Sequence, residues 1–299
     1  MQKSEIRGII VPILTPMHKD EKLNLEELRR QVDRMIGAGI HGIFCLGTNG
    51  EAFALSDEEK RQVIRTTVEQ AAGRVPVYAG TGCVTTRDTL ELSLYAQEVG
   101  ADALSIITPY FAASSQEQLY RHYETIANAV RIPIIVYNIP ARTGASVSPK
   151  LWKKMTKLER IAGIKDSSGN FDNMLQYLRN SQGTECAVLS GNDSLILWNL
   201  YAGGKGGIAG CANVYPETLV GIYDAFQTGD LEKAAAFQNS LATFREVFQY
   251  GNPNTVVKMA AAYLGNDVGP CRKPFDGLSE EGVKALQQVL EQNRANGMK

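Results

Sequence analysis

Ile161-Ala162-Gly163-Ile164-Lys165-Asp166-Ser167-Ser168-Gly169-Asn170 is an apolar run that stops on a lysine and gives way at once to small polar residues and a glycine. A buried strand that empties into a loop at the mouth of a sheet has this pattern. Lys165 then stands at the carboxyl end of the strand, and two readings are open for it. A strand-end lysine commonly reaches into water or pairs with a carboxylate such as neighbouring Asp166. A desolvated amine, its pKa drawn from ~10.4 towards ~7, would instead attack a ketone and form a Schiff base.

The same unit of run and loop recurs along the chain. From residue 7 onward, β-rich runs alternate with amphipathic helical patterns in cycles of roughly 25 to 35 residues, the size of a βα unit. The expected strands are Gly8 to Leu14, Gly42 to Leu46, Val75 to Ala79, Ala103 to Ile107, Ile134 to Tyr137, Ala162 to Lys165, Ala187 to Ser190 and Gly207 to Ala209. Helix starts are signalled at Asn24, at the capping box Ser56-Asp-Glu-Glu59, and at Thr86, Ser115, Ser148-Pro149 and Asn170. After the last strand come helical patterns over Glu217 to Gln227, Leu231 to Phe248 and Thr255 to Leu264, then a final one from Ser279. The expectation is an α/β fold, a TIM (β/α)8 barrel over residues 1–225 with a C-terminal helical extension over 226–299 packed on it. An open doubly wound sheet is disfavoured, because no GxGxxG follows the first strand and eight regular units close more naturally than they lie open.

A chain of 299 residues is long enough for one such barrel, and its net charge of -1 favours neither nucleic acid nor an anionic membrane as partner. The segment Met1 to Gly8 has no apolar signal core and no run of 18 apolar residues occurs, so a cytoplasmic protein is expected. Cys45, Cys83, Cys186, Cys211 and Cys271 show no CxxC spacing, which suits buried free thiols. His18, His41 and His122 lie far apart, so no metal site is expected.

In a barrel the reacting groups gather where strands end, which turns attention to the loops. Gly47-Thr48-Asn49-Gly50-Glu51 follows the second strand. Its glycines can turn consecutive N–H groups inward to bind a small carboxylate, with the Thr48 hydroxyl beside them; a plain βα turn has the same composition. Glu51 reads as a structural acceptor that holds neighbouring loops. Thr108-Pro109-Tyr110-Phe111 places an aromatic pair after the fourth strand, suited to an interface or a pocket wall. Tyr137 ends the fifth strand beside the sixth, so its hydroxyl either reaches a substrate on Lys165 or is a satisfied core group. Arg142, in a loop tightened by Pro140 and Gly144, suits a bidentate grip on a second carboxylate or a surface ion pair. Gly191, Asn192, Asp193 and Ser194 follow the seventh strand, where glycine lets backbone approach a ligand and the polar residues meet its hydroxyls or cap a helix.

Taken together, Gly47-Thr48-x-Gly50-Glu51, Thr108-Pro109-Tyr110, Tyr137-Asn138-x-Pro140-x-x-x-Gly144 and Gly163-Ile164-Lys165-Asp166 resemble the dihydrodipicolinate synthase / N-acetylneuraminate lyase family of class I pyruvate aldolases. The order and spacing match over nearly the whole chain. The resemblance implies a Schiff base between pyruvate and Lys165 without metal or other cofactor, and carboxylate binding by the Thr48 and Asn49 loop. It also implies proton relay through Tyr137 and Thr48, a keto acid near the Ile208 carbonyl, and a homotetramer; with Phe111 lacking a hydroxyl, Tyr110 or water is the expected substitute in the relay. Arg142-Thr143-Gly144 resembles the synthases, which hold the carboxylate of aspartate semialdehyde there and serve lysine biosynthesis. Departures are Phe111, where synthases usually carry a tyrosine donated across the dimer interface, and Asn49 in place of a second threonine. Pyruvate and an aldehyde are the expected small-molecule partners, with condensation onto L-aspartate-4-semialdehyde the leading expectation. The alternatives are an aldolase or dehydratase of a 2-keto-3-deoxy sugar acid, and a pyruvate-binding regulator without catalysis.

Overall fold

Short runs that are apolar at every position make strands covered on both faces, as parallel strands between a core and a helix layer must be. The computed structural model describes residues 1–298 and forms these runs into β1 (Gly8–Pro12), β2 (Gly42–Cys45), β3 (Val77–Gly80), β4 (Ala103–Ile107), β5 (Ile134–Asn138), β6 (Ile161–Asp166), β7 (Ala187–Ser190) and β8 (Gly206–Ile208). Neighbours pair in parallel in chain order and β8 returns to β1, so the sheet is a closed barrel. Each strand lies within about two residues of its expected range, the usual blur of strand ends.

The helices between the strands are α1 (Leu25–Gly37), α2 (Asp57–Ala71), α3 (Thr86–Glu98), α4 (Gln116–Ala129), α5 (Pro140–Thr143), α6 (Pro149–Met155), α7 (Phe171–Ser181) and α8 (Ile196–Tyr201). The cap signals act as read: Asn24 accepts from the Glu27 amide, Ser56 and Glu59 form a reciprocal box, and Ser148 and Asn170 accept from Leu151 and Asn173. On α3 the cap is Thr85, one residue before the expected Thr86. The short helices α5 and α8 were not anticipated, because neither is long enough to show a helical period.

After β8 come α9 (Pro216–Gln227), α10 (Leu231–Ser240), α11 (Ala242–Glu246), α12 (Pro253–Tyr263) and α13 (Glu280–Ala295). The helix expected over Leu231 to Phe248 is in fact broken at Leu241 and ends in a 3-10 turn, Val247–Tyr250. The Ser240 hydroxyl bonds back to the Phe237 carbonyl at this break, where it competes with the helix ladder. Among the described residues no helix is long and apolar enough to cross a membrane.

Side chains alternate between two layers. Ile10, Phe44, Tyr78, Ile135, Tyr137, Leu189 and Ile208 fill the barrel, while Ile9, Val11, Ile43, Ile134, Val136, Ile164 and Val188 pack outward among the helices. In β6 the alternation is interrupted. Ile134 pairs with Ile161 but Ile135 pairs with Gly163, so Ala162 is an extra residue, a β-bulge. Beyond it Tyr137 pairs with Lys165 and Lys165 with Leu189, which puts Lys165 on the inner face. Gly163 is the residue this geometry needs, since a Cβ there would stand 2.7 Å from the Ala187 carbonyl oxygen.

Candidate active site

Lys165 is 4 % exposed, and its Nζ lies 3.9 Å from the Tyr137 ring centroid and 5.1 Å from that of Phe44. Asp166 faces the opposite way by strand alternation. Its carboxylate accepts from Asn138 Nδ2 and Ser168 Oγ, both at 2.8 Å, and burial pushes its pKa up. The pairing of Lys165 with Asp166 therefore does not occur, and the amine is left facing the cavity.

Tyr137 is held by its strand register against Lys165 and edge-on against Phe44. Its hydroxyl is 3.2 Å from Thr48 Oγ1, so the tyrosine end of β5 and the loop after β2 meet over the amine. The Thr48 and Asn49 amides make no hydrogen bond to other described residues, which leaves two adjacent N–H donors for an anion. Asn49 fits close to Gly210, where a Cβ would be only 2.6 Å from its side-chain nitrogen.

This turn is anchored from below. Glu51, at φ 55°, is wholly buried; its carboxylate meets the Lys258 ammonium of α12 and accepts the Arg272 amide at 2.8 Å. Lys258 also donates to the Pro270 carbonyl at 2.9 Å. Glu51 is thus the structural acceptor expected, fastening the turn after β2 to the helical extension.

A cavity of about 210 Å³ opens over the amine. It is lined by the expected residues Lys165, Tyr137, Thr48, Asn49, Arg142, Gly191 and Ile208. Gly191 gives way to the lysine: a Cβ there would fall on Ser167 Oγ and reach Lys165 Cε at 2.9 Å. Arg142, on α5, is exposed and donates to Asn252 Oδ1 at 3.2 Å. Tyr110 is not in this cavity; it lines two others, which Thr48 also borders. Burial raises its hydroxyl pKa, and no hydrogen bond joins it to Thr48 among the described residues. Phe111 points away from the cavity, 98 % exposed at φ 76°.

Three polar lining residues were not anticipated by motif: Ser167, Arg245 and Asn254. Ser167 Oγ is buried without a hydrogen-bond partner among the described residues, and the polar run after Lys165 is the signal that held it. Arg245 and Asn254 come from the helical extension, and no local pattern ties them to the barrel mouth.

A closed barrel that buries an amine at a strand end, beside a tyrosine and threonine in hydrogen-bond contact, is the architecture of a class I lyase, an enzyme that works through a Schiff base. The chain belongs to the dihydrodipicolinate synthetase family, whose model matches residues 5–293. It is 39% identical over 290 residues to the 4-hydroxy-tetrahydrodipicolinate synthase of Methanopyrus kandleri, covering 96% of each chain. It is 37% identical to that of Methanospirillum hungatei, covering 95% of this chain and 98% of the relative. Among solved structures, the chloride-inhibited dihydrodipicolinate synthase of Acinetobacter baumannii complexed with pyruvate superposes with a TM-score of 0.93 at 34% identity, covering 97% of this chain and 99% of that one.

Proposed function

We propose that the chain condenses pyruvate with L-aspartate-4-semialdehyde to give 4-hydroxy-tetrahydrodipicolinate. The observation that carries this reading is the contact between Tyr137 and Thr48 directly over the buried Lys165 amine. Lys165 Nζ adds to the keto carbon of pyruvate, and Tyr137 donates a proton as the carbinolamine loses water to the imine. The protonated imine draws electrons from the methyl group, which gives up a proton to the Tyr137 oxygen left deprotonated by that donation, forming the enamine. The enamine carbon attacks the aldehyde and Tyr137 protonates the resulting alkoxide. The substrate amine then closes onto the imine carbon and displaces Lys165, so one water is released overall. Thr48 and Asn49 hold the pyruvate carboxylate, with the Ile208 carbonyl nearby, while Gly191 leaves room for the lysine. Arg142 takes the carboxylate of the aldehyde.

A second reading, cleavage of a 2-keto-3-deoxy sugar acid, is favoured by Phe111, which carries no hydroxyl for a relay across an interface. Against it, Asp193, the acid suited to sugar hydroxyls, is occupied by Arg245 and the Cys211 amide. Tyr110 or water takes the relay role on the synthase reading. The same reading includes a cytoplasmic homotetramer, supported by exposed Phe111, Trp198 and Tyr201, and a barrel over residues 1–225 carrying an extension over 226–299.

Borohydride reduction with pyruvate, followed by mass spectrometry, is expected to add a reduced pyruvate to Lys165. No gain at Lys165 would leave only a pyruvate-binding regulator. A coupled assay then compares L-aspartate-4-semialdehyde with 2-keto-3-deoxygluconate, and turnover of the sugar acid alone would sink the synthase reading.

A further inference from the structure

Residues 245 to 257 belong to the helical extension yet cover the cavity over Lys165. Arg245, on α11, donates from Nη1 to Asp193 Oδ2 at 3.0 Å, and Asp193 Oδ1 accepts the Cys211 amide at 3.1 Å. Both oxygens of Asp193 are therefore engaged, whereas a guanidinium has five N–H donors and keeps others after that bond. The Arg245 side chain is 22% exposed, packs against the Phe248 ring at 5.6 Å, and lines the same cavity as Lys165. It is neither a solvated surface cation nor one fully consumed by its partner.

Its position relative to the lysine follows from the barrel order. Strands β5, β6 and β7 are neighbours, so Arg142 after β5 and Arg245, seated on the turn after β7, flank the strand that carries Lys165. A chain growing from Lys165 Nζ towards the rim runs between two guanidiniums. The first carboxylate of a keto acid is met at the Thr48 and Asn49 amides, which leaves both arginines for the other end.

We propose that Arg245 is a specificity-determining residue that, together with Arg142, selects adducts ending in a carboxylate over those ending in a neutral group. This rests on the Schiff-base reading above but names a residue and a discrimination that reading does not contain. Asp193 acts as the holder of the guanidinium, keeping its free donors turned to the cavity.

The test uses two keto acids of the length of the condensation adduct, 2-oxoheptanedioate and 2-oxoheptanoate, which form an imine with Lys165 without needing an aldehyde. The concentration of each that half-saturates borohydride trapping at Lys165 is measured for the parent and for Arg245→Gln. The parent is expected to prefer the diacid, and Arg245→Gln to lose roughly ten- to hundredfold of that preference, the worth of a hydrogen bond to a charged group. Trapping of pyruvate and of the neutral-ended acid should stay unchanged. An unaltered preference, or equal weakening of both acids, would overturn the proposal, since a residue that merely holds the β7 turn affects both alike. Arg245→Lys, which keeps the charge but not the fork, should retain part of the preference and answers the question if the glutamine variant does not fold. A parent that traps no pyruvate would instead overturn the Schiff-base reading itself, and this proposal with it.

Discussion

Replacing Tyr137 by Phe removes one oxygen from the site and little else. The ring stays packed edge-on against Phe44 and over Lys165, because these two contacts are made by the ring and not by the hydroxyl. In stability the change amounts to one neutral hydrogen bond, the 3.2 Å contact to Thr48, and so costs about 0.5 to 1.5 kcal/mol. Thr48 is half-buried beside an open cavity, so water can replace the lost partner. In the proposed mechanism the hydroxyl serves both carbinolamine collapse and alkoxide protonation, and positioned proton transfer is worth roughly 10² to 10⁴ in rate. That corresponds to about 3 to 5 kcal/mol of barrier, well beyond the stability change. The expectation is a large fall in kcat, a slowed but detectable approach to the trapped pyruvate adduct, and a nearly unchanged urea midpoint. Steady-state kinetics, a trapping time course and urea melts read these separately. A kcat within about threefold of the parent would refute the role given to Tyr137, as would a loss confined to KM for pyruvate.

Gly191→Ala should abolish pyruvate trapping at Lys165 and cost about 1 to 3 kcal/mol by overpacking, because its Cβ has no room beside Ser167 and the lysine; trapping mass and a urea melt check both. Lys258→Met strands the buried Glu51 carboxylate and should lower stability by about 3 to 5 kcal/mol, with Glu51→Gln in the same chain restoring part of the urea midpoint. Burial depresses the His122 pKa from 6.5 to about 4. The unfolded chain then binds the proton that the folded chain refuses, so stability falls as pH drops from 6.5 towards 4. His122→Gln should flatten that slope in thermal melts across the window, and an unchanged slope would assign it to other groups.

The barrel was legible because parallel strands buried on both sides leave apolar runs of fixed spacing, and because caps such as Asn24, Ser56 and Ser148 mark where helices begin. Lys165, Tyr137 and the Thr48 turn were legible for a related reason: in this architecture the residue after each strand is at the mouth whatever its partners. Arg245 was not. Its neighbours Ala242-Thr-Phe-Arg-Glu246 read as an ordinary amphipathic turn, and only the passage of the extension across the rim brings it to the cavity. The partner of Glu51 was hidden in the same way, since Lys258 lies far along the chain and becomes its neighbour only through α12.

Ala162 is the one residue that β6 has in excess of β5. Because Ile161 and Gly163 pair with consecutive residues of β5, the bulge absorbs it, and the order beyond, Lys165 against Tyr137 and Asp166 against Asn138, is the one an unbulged strand would have. A chain lacking Ala162 would therefore keep the amine inside the barrel and the carboxylate among the helices, and pyruvate capture at Lys165 should survive the deletion; its loss would show that the local bend at 162, rather than the side-chain order, holds the amine in place.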